Sequence, residues 1–170
     1  MPISPRMLNL PDSTATEAFG RALARSFPAV SSNAVLHLRG ELGSGKTTCA
    51  RSLLQALGVT ATVRSPTYTL LDTYSVAALT LVHVDLYRVQ SSEEVEELGL
   101  RDLIGPDCLM LIEWPEKGGI AVPRPDLSIQ FSYAGEGRAA VIGEASGTGR
   151  EWLAQLAIDT SLASYVANLA

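Results

Sequence analysis

The stretch Gly40-Glu41-Leu42-Gly43-Ser44-Gly45-Lys46-Thr47 decides how the rest of the chain is interpreted. It matches the pattern G-x-x-x-x-G-K-[ST], a loop whose backbone N–H groups surround a phosphate. The apolar residues 35–38 before it predict a buried strand, and residues 48–57 after it predict a helix that ends at Gly58. The alternative is a chance glycine-rich turn, which a complete match between a strand and a helix disfavours.

Three residue types in this stretch carry chemistry. Gly40, Gly43 and Gly45 allow backbone conformations that other residues resist, so that N–H groups can turn inward around a phosphate at the positive end of the helix. The Lys46 ammonium is predicted to reach the β- and γ-phosphates, and the Thr47 hydroxyl to ligate Mg²⁺. The sequence therefore predicts a nucleotide-binding loop.

Composition limits the class of protein. The chain has 170 residues, 46% of them hydrophobic and 18% charged, which predicts one globular domain covering residues 1–170. Its net charge of -5 argues against a broad nucleic-acid-binding face. Cys49 and Cys108 lie in apolar runs, which predicts buried free thiols. Because residues 1–5 lack signal-peptide features and no apolar run is long enough to span a membrane, we expect a cytoplasmic protein.

The remaining patterns predict a mixture of strands and helices. Residues 69–74 and 79–84 predict two strands, and the short link between them predicts an antiparallel pair. The apolar run 108–112 predicts a central strand. The other predictions are an extended segment at 8–11, a helix at 15–27, a loop at 28–33, an extended segment at 60–64, a helix from 91–94 that ends at Gly99, a helical turn at 101–105, a hairpin of 127–133 and 139–144, a strand or helix start at 151–156, and a C-terminal helix at 157–170.

Two carboxylates follow apolar strands and are candidates for work on the phosphates. Phosphoryl transfer needs a carboxylate that holds Mg²⁺ or its waters, and a group that positions the nucleophile. Asp85 follows the strand at 79–84, and Glu113 follows the strand at 108–112. From these patterns alone either could be the closer Mg²⁺ ligand, and each could instead mark only a strand that meets solvent. The phosphate loop upstream favours a functional role.

Two further side chains have open interpretations. Thr67 lies in a proline-containing loop after the phosphate-loop helix, where it could sense a γ-phosphate or be only a turn hydroxyl. His83 would share a strand face with Asp85, and a hydrogen-bonded structural role is favoured over a role as a base.

Short motifs occur in a fixed order: GELGSGKTT at 40–48, RSPTYTL at 64–70, HVDLYR at 83–88, ELGL at 97–100 and IEWPE at 112–116. Together they resemble the TsaE family, bacterial P-loop ATPases required for threonylcarbamoyladenosine in tRNA, over residues from about 10 to 118. The resemblance implies an α/β fold, a P-loop NTPase-like three-layer sandwich with a mixed (parallel and antiparallel) central sheet.

The resemblance also implies residue roles. Thr47 and Glu113 would be the Mg²⁺ ligands, and Asp85 would be needed for hydrolysis. Thr67 would lie in a switch-like loop, so that Asp85, Lys46 and Thr67 form the catalytic set. The implied ATP-binding residues are Ser13, Thr16, Glu41, Leu42, Gly43, Ser44, Gly45, Lys46, Thr47, Thr48 and Trp114, with residues 13–16 near the adenine and Trp114 beside the nucleotide.

The function implied by this resemblance is that of an accessory motor. TsaD transfers the threonylcarbamoyl group to an adenosine beside the anticodon, and ATP hydrolysis by the TsaE-like subunit would reset a complex of TsaD and TsaB. Turnover would be weak in isolation and stimulated by that complex, and tRNA would be contacted only through it.

Other functions compete with this one. A small-molecule kinase would need an acceptor pocket and an arginine-bearing lid, for which Arg101 or Arg124 could serve. A nucleotide-dependent binding module with negligible turnover is a further possibility. A GTPase is disfavoured, because no asparagine of the chain begins an N-K-x-D motif.

Overall fold

The computed structural model describes residues 6–28 and 33–167. The expectation for residues 1–5, and most of the loop predicted at 28–33, lie outside the described residues. The strands are β1 Arg6–Leu10, β2 Ala34–Arg39, β3 Leu71–Val76, β4 Leu79–Asp85, β5 Cys108–Glu113, β6 Leu127–Ala134 and β7 Gly137–Glu144. The helices are α1 Ser13–Ser26, α2 Lys46–Ala56, α3 Ser92–Glu97 and α4 Gly147–Ala157, with short 3-10 turns at Leu100–Leu103, Pro115–Lys117, Gly119–Ala121 and Thr160–Leu162.

One mixed sheet contains all seven strands, in the order β1-β7-β6-β2-β5-β4-β3. In its centre β2 pairs in parallel with both β5 and β6, and β4 pairs in parallel with β5. The outer pairs β3–β4, β6–β7 and β1–β7 are antiparallel. The mixed sheet and the antiparallel pair after the phosphate-loop helix are therefore confirmed.

Apolar side chains on both faces of the sheet produce three layers. α1, α2 and α4 pack on one face, where Leu36 and Leu111 are fully buried. α3 and the turns beside it pack on the other face, against Val82 and Met110. Every residue of β5 is buried, because this strand has a neighbour on each side and a layer on each face. The three-layer sandwich is confirmed.

Several local predictions hold with shifted boundaries. The strand and helix that flank the phosphate loop are β2 and α2, and Gly58 follows with a left-handed φ of 113°. The hairpin predicted at 127–133 and 139–144 is β6–β7. The strand predicted at 69–74 begins later, as β3, because Leu70 has a positive φ of 65° that ends the loop before it. Residues 60–64 form no strand.

The predicted C-terminal helix at 157–170 is wrong. The helix lies earlier, as α4, which agrees with the helix alternative at 151–156. It begins after Ser146, whose hydroxyl accepts a hydrogen bond of 3.0 Å from the Gly149 N–H. A Cβ at Gly149 would lie 1.8 Å from the Asp126 carbonyl oxygen, so this packing requires glycine. Glycine's low helix propensity hides the start of α4 in the sequence.

The chain after α4 does not continue as a helix because Asp159 starts a separate turn. Its carboxylate accepts a hydrogen bond of 3.0 Å from the Ser161 N–H and forms an ion pair of 2.9 Å with Arg25 on α1. Residues 168–170 of the predicted helix lie outside the described residues. Among the helices that the structure describes, none has the length and apolar character needed to cross a bilayer.

Candidate functional site

The phosphate loop has the backbone that its glycines predict. Gly40, Gly43 and Gly45 have φ values of 138°, 75° and 109°. Gly45 is the N-cap of α2 and provides no side-chain cap, so the first N–H groups of the helix have no side-chain acceptor from the capping position. The hydroxyl of Ser44 is buried and has no hydrogen-bond partner within the described residues. The oxygens of a phosphate group accept hydrogen bonds from backbone N–H and hydroxyl groups, so a loop of this shape suits a phosphate.

Lys46 points its ammonium back over the loop. Its Nζ donates to the carbonyl oxygens of Gly40 at 2.6 Å and Glu41 at 2.8 Å, and lies 4.1 Å from the centroid of the Trp114 ring. Burial lowers the pKa of Lys46, while the nearby Glu113 carboxylate acts in the opposite direction. The cation is therefore held at the mouth of the loop by neutral carbonyl oxygens, which an anionic ligand could replace.

Glu113, the last residue of β5, connects the phosphate loop to the neighbouring strand. Its Oε2 accepts a hydrogen bond of 2.8 Å from the Thr47 hydroxyl, at the start of α2. Its Oε1 lies 2.8 Å from Nε2 of His83 on β4, and both side chains are almost fully buried. The carboxylate is thus fixed at both oxygens and faces the loop beside Thr47.

Asp85, the last residue of β4, stands directly opposite Glu113 in the parallel β4–β5 register. Its contacts are different: Oδ1 accepts from the Tyr87 N–H at 2.9 Å, and Oδ2 accepts from the Ser65 hydroxyl. The Asp85 N–H also donates to the Leu70 carbonyl at 2.9 Å. Asp85 therefore holds both ends of the loop at residues 65–70.

Thr67 lies within that loop, in the segment that Asp85 anchors. Its hydroxyl is 3.3 Å from the Ser65 hydroxyl, which in turn contacts Asp85. A chain of two hydroxyl groups therefore connects Thr67 to the β4 carboxylate. A change in the position of the Thr67 hydroxyl can therefore alter the Ser65 hydroxyl and, through it, the contact with Asp85.

A cavity of about 350 Å³ joins these groups. It brings together Asp85, Lys46 and Thr67, the catalytic set implied by the resemblance, with both residues implied as metal ligands. Its lining residues are Leu42, Gly43, Gly45, Lys46, Thr47, Thr48, Ser65, Thr67, Asp85, Tyr87, Glu113 and Trp114. Neither Arg101 nor Arg124 is among them, and Arg101 instead donates to the Ile120 carbonyl.

The remaining residues implied for ATP binding lie around this cavity. Ser13 and Thr16 line a second cavity of about 150 Å³ that also contacts Gly43, Gly45 and Thr48. This places the start of α1 against the phosphate loop. Glu41 is exposed and lines a neighbouring cavity together with Trp114, and Ser44 is fully buried.

The donor set suits Mg²⁺ bound together with a nucleotide. Hydroxyl and carboxylate oxygens are ligands that Mg²⁺ prefers, and Thr47 and Glu113 present both types within 2.8 Å of each other. The described residues contain no cluster of three or more His, Cys, Asp or Glu side chains that could hold a metal alone. Because Mg²⁺ in such sites takes its remaining ligands from phosphates and water, two protein ligands fit it.

Sequence reasoning missed two side chains of the β6–β7 hairpin that brace the phosphate loop. The Arg138 guanidinium donates to the Gly43 carbonyl at 3.0 Å and 3.2 Å, and the Tyr133 hydroxyl donates to the Leu42 carbonyl at 2.5 Å. Both residues come from a segment far along the chain, and no local pattern distinguishes them from surface residues. Only the sheet order, with β6 beside β2, brings them here.

The chain is similar over most of its length to proteins of one family. The family model described as "Threonylcarbamoyl adenosine biosynthesis protein TsaE" matches residues 10–140. A relative from Haemophilus influenzae, named tRNA threonylcarbamoyladenosine biosynthesis protein TsaE, is 37% identical over 131 residues, which cover 76% of this chain and 83% of the relative. A protein of the same name from Bacillus subtilis is 35% identical over 121 residues, or 71% of this chain and 75% of that protein.

A solved structure has the same fold. The crystal structure of Bacillus subtilis YdiB aligns with a TM-score of 0.73 and 26% sequence identity, and the alignment covers 91% of this chain and 97% of YdiB. The structural likeness therefore covers a larger share of the chain than the family model, which matches residues 10–140.

Proposed function

The chain belongs to the TsaE family, whose members take part in tRNA threonylcarbamoyladenosine biosynthesis, and on that premise we propose that it is the ATP-hydrolysing accessory subunit of a TsaD–TsaB-like complex. The complex modifies the adenosine beside the anticodon, and this subunit contacts tRNA only through its partners. A cytoplasmic location remains a prediction.

The observation that carries the proposal is the pair of carboxylates at the mouth of the phosphate loop. Glu113 contacts Thr47 of the loop, and Asp85 contacts Ser65 of the adjoining loop, so one cavity is lined by two acidic groups with different partners. An ATPase needs both a metal-holding group and a group that orients the attacking water. The arrangement offers one carboxylate for each task.

The protein's own groups have the following roles in this proposal. The glycine loop and Lys46 bind the phosphates of ATP, and Trp114 lies beside the nucleotide. Thr47 and Glu113 hold Mg²⁺, which when bound neutralises charge that develops on the phosphate oxygens. Asp85 accepts hydrogen bonds at both oxygens and orients water at the γ-phosphate end of the cavity.

The loop at residues 65–70 is the proposed link to the partner. Loss of a γ-phosphate contact at Thr67 releases one end of the β3–β4 pair, since Thr67 is connected through Ser65 to Asp85. A cycle that uses ATP requires two states with different affinities for the partner, because a ligand that binds both states equally shifts neither.

The decisive experiment measures ATP turnover with and without the TsaD–TsaB-like partner, together with repeated rounds of tRNA modification. Stimulated turnover and a requirement for this protein beyond the first round support the proposal. Lys46→Ala, which removes the phosphate-binding cation, is the matched control and should abolish both effects while the variant stays folded. Equal turnover in both settings would favour the small-molecule kinase instead.

A further inference from the structure

We propose that His83 is a positioning residue, which through its Nε2 holds the Glu113 carboxylate in the orientation needed to bind Mg²⁺ beside Thr47. The inference rests on the proposed function, because it assumes that Glu113 and Thr47 are the metal ligands. It assigns a role to a buried histidine for which structural packing alone would be the simplest explanation.

The geometry of the contact comes from the sheet. His83 lies on β4 opposite Leu111 of β5, two positions before the paired strand ends Asp85 and Glu113. From there its Nε2 reaches Oε1 of Glu113 at 2.8 Å, while Thr47 occupies Oε2 at the same distance. A carboxylate oxygen only accepts hydrogen bonds, so Nε2 must carry the proton. With a donor on each oxygen, the carboxylate cannot rotate freely.

The other ring nitrogen shows that packing is a poor explanation for this histidine. Nδ1 of His83 is buried and has no hydrogen-bond partner within the part of the chain that the structure describes. An unpaired buried polar atom destabilises the folded protein, and an apolar residue like the adjacent Val82 or Val84 avoids that cost. Within the described residues, the polar contact that the His83 ring makes is the one to Glu113.

Orienting groups of this kind have a measurable effect on metal sites. Partners that hydrogen-bond to a ligating carboxylate fix its direction, and their loss typically weakens metal affinity about 10- to 100-fold. A purely structural histidine would instead affect the free energy of unfolding and leave metal affinity unchanged. Metal affinity and stability therefore separate the two roles.

The experiment compares two amide substitutions that differ in reach. The amide nitrogen of glutamine lies as many bonds from Cα as Nε2 of histidine, whereas that of asparagine lies one bond closer. His83→Gln can therefore still donate to Glu113, and His83→Asn cannot. The probe is the non-hydrolysable ATP analogue AMP-PNP, whose affinity is measured by calorimetry at a series of free Mg²⁺ concentrations, with thermal unfolding recorded for each variant.

We expect the Mg²⁺ midpoint to rise about 10- to 100-fold in His83→Asn and to stay within about threefold of the unsubstituted protein in His83→Gln. Affinity measured without Mg²⁺ should not change in either variant. An unchanged midpoint in folded His83→Asn, or an equal rise in both variants, overturns the inference. If His83→Asn does not fold, His83→Met takes its place, because methionine fills a similar space without a hydrogen-bond donor. His83→Met should also raise the Mg²⁺ midpoint. An unchanged midpoint in His83→Met would overturn the inference.

The Mg²⁺ titrations of the His83 variants do not depend on the partner complex. A failure of partner-stimulated turnover would remove the proposed function but leave these titrations as they are. If Mg²⁺ did not affect nucleotide binding by the unsubstituted protein, both the metal assignment and the role of His83 would be overturned. Partner-stimulated turnover could then still be measured separately.

Discussion

Strands β4 and β5 end on carboxylates that stand opposite each other in a parallel pair, and these two strand ends serve different parts of the chain. Glu113 contacts Thr47, which belongs to the phosphate loop and α2. Asp85 contacts Ser65 and the backbone near Leu70, which belong to the loop before β3. Both side chains are nearly inaccessible to solvent, so burial does not distinguish them.

The difference between the two strand ends comes from the third element that each one meets. β5 lies between β2 and β4, so its end faces the loop that leaves β2. β4 lies between β5 and the antiparallel β3, so its end faces the segment that enters β3. A carboxylate takes its role from its neighbours, and one position along the sheet is enough to change those neighbours.

The largest effect is expected at the β4 end. Asp85→Asn keeps the size of the side chain and removes its charge, so turnover at saturating Mg²⁺ should fall about 100-fold or more, as expected for loss of a group that orients or deprotonates the nucleophile. The Mg²⁺ midpoint should move by less than about threefold. Steady-state turnover measured over a range of Mg²⁺ concentrations tests both statements.

The matched substitution at the β5 end should behave differently. Glu113→Gln removes the charge of the proposed Mg²⁺ ligand, so the Mg²⁺ midpoint should rise about 10-fold or more, and added Mg²⁺ should restore part of the turnover. The same titration that is used for Asp85→Asn applies. If Glu113→Gln lost turnover at all Mg²⁺ concentrations and Asp85→Asn shifted only the midpoint, the two roles would have to be exchanged.

The two strand ends also show what the sequence can and cannot predict. Each carboxylate was predictable, because an apolar run followed by an acidic residue is a local pattern. The partners were not predictable from residue patterns, because His83 and Ser65 are 30 and 20 residues away from the carboxylates that they contact. Only the family resemblance separated the metal ligand from the hydrolytic residue, and that separation stays a prediction.

The fold likewise combines features that have a local sequence signal with features that have none. The phosphate loop, β5 and the two hairpins β3–β4 and β6–β7 were predicted, because periodicity and short links are local signals. The pairing of β1 with β7 joins residues such as Leu8 and Ala140 and has no local signature. The helix α4 was misplaced because Gly149 satisfies a packing contact with Asp126 that is distant in sequence.

A smaller effect on turnover is expected in the loop at residues 65–70, which Asp85 contacts at the β4 end. Thr67→Ala removes a hydroxyl that is 3.3 Å from Ser65, and Asp85 and the phosphate loop keep their own contacts. ATP affinity should stay the same, and stimulation by the partner should fall about fivefold, the worth of one hydrogen bond. Thr67→Ser restores the hydroxyl and is the control. Full stimulation in Thr67→Ala would show that the β4 end does not communicate through this loop.

The smallest effect on the nucleotide site is expected at a third buried polar position, His37 on β2. Its Nε2 lies 2.9 Å from the Pro123 carbonyl, and it lines no part of the cavity that contains Asp85 and Glu113. Burial lowers the pKa of His37 to about 4, with a smaller contribution in the same direction from Arg39, although the Pro123 hydrogen bond opposes the shift. His37 is therefore a control position, because it lies outside the cavity that the two strand ends line.

The lowered pKa of His37 determines how its contribution to the free energy of unfolding changes with pH. In the unfolded chain His37 takes up a proton below its ordinary pKa of 6.5, whereas in the folded protein it stays neutral until about pH 4. Its contribution to stability is therefore complete above pH 6.5 and is lost as the pH falls towards 4, by an amount on the order of 3 kcal/mol. His37→Gln can still donate to Pro123 but cannot titrate, so it should show a shallower loss of stability in urea unfolding between pH 7 and pH 4.5. Its Mg²⁺ midpoint and turnover at neutral pH should match those of the unsubstituted protein. A changed midpoint would mean that β2, and not only the ends of β4 and β5, determines how the site holds its metal.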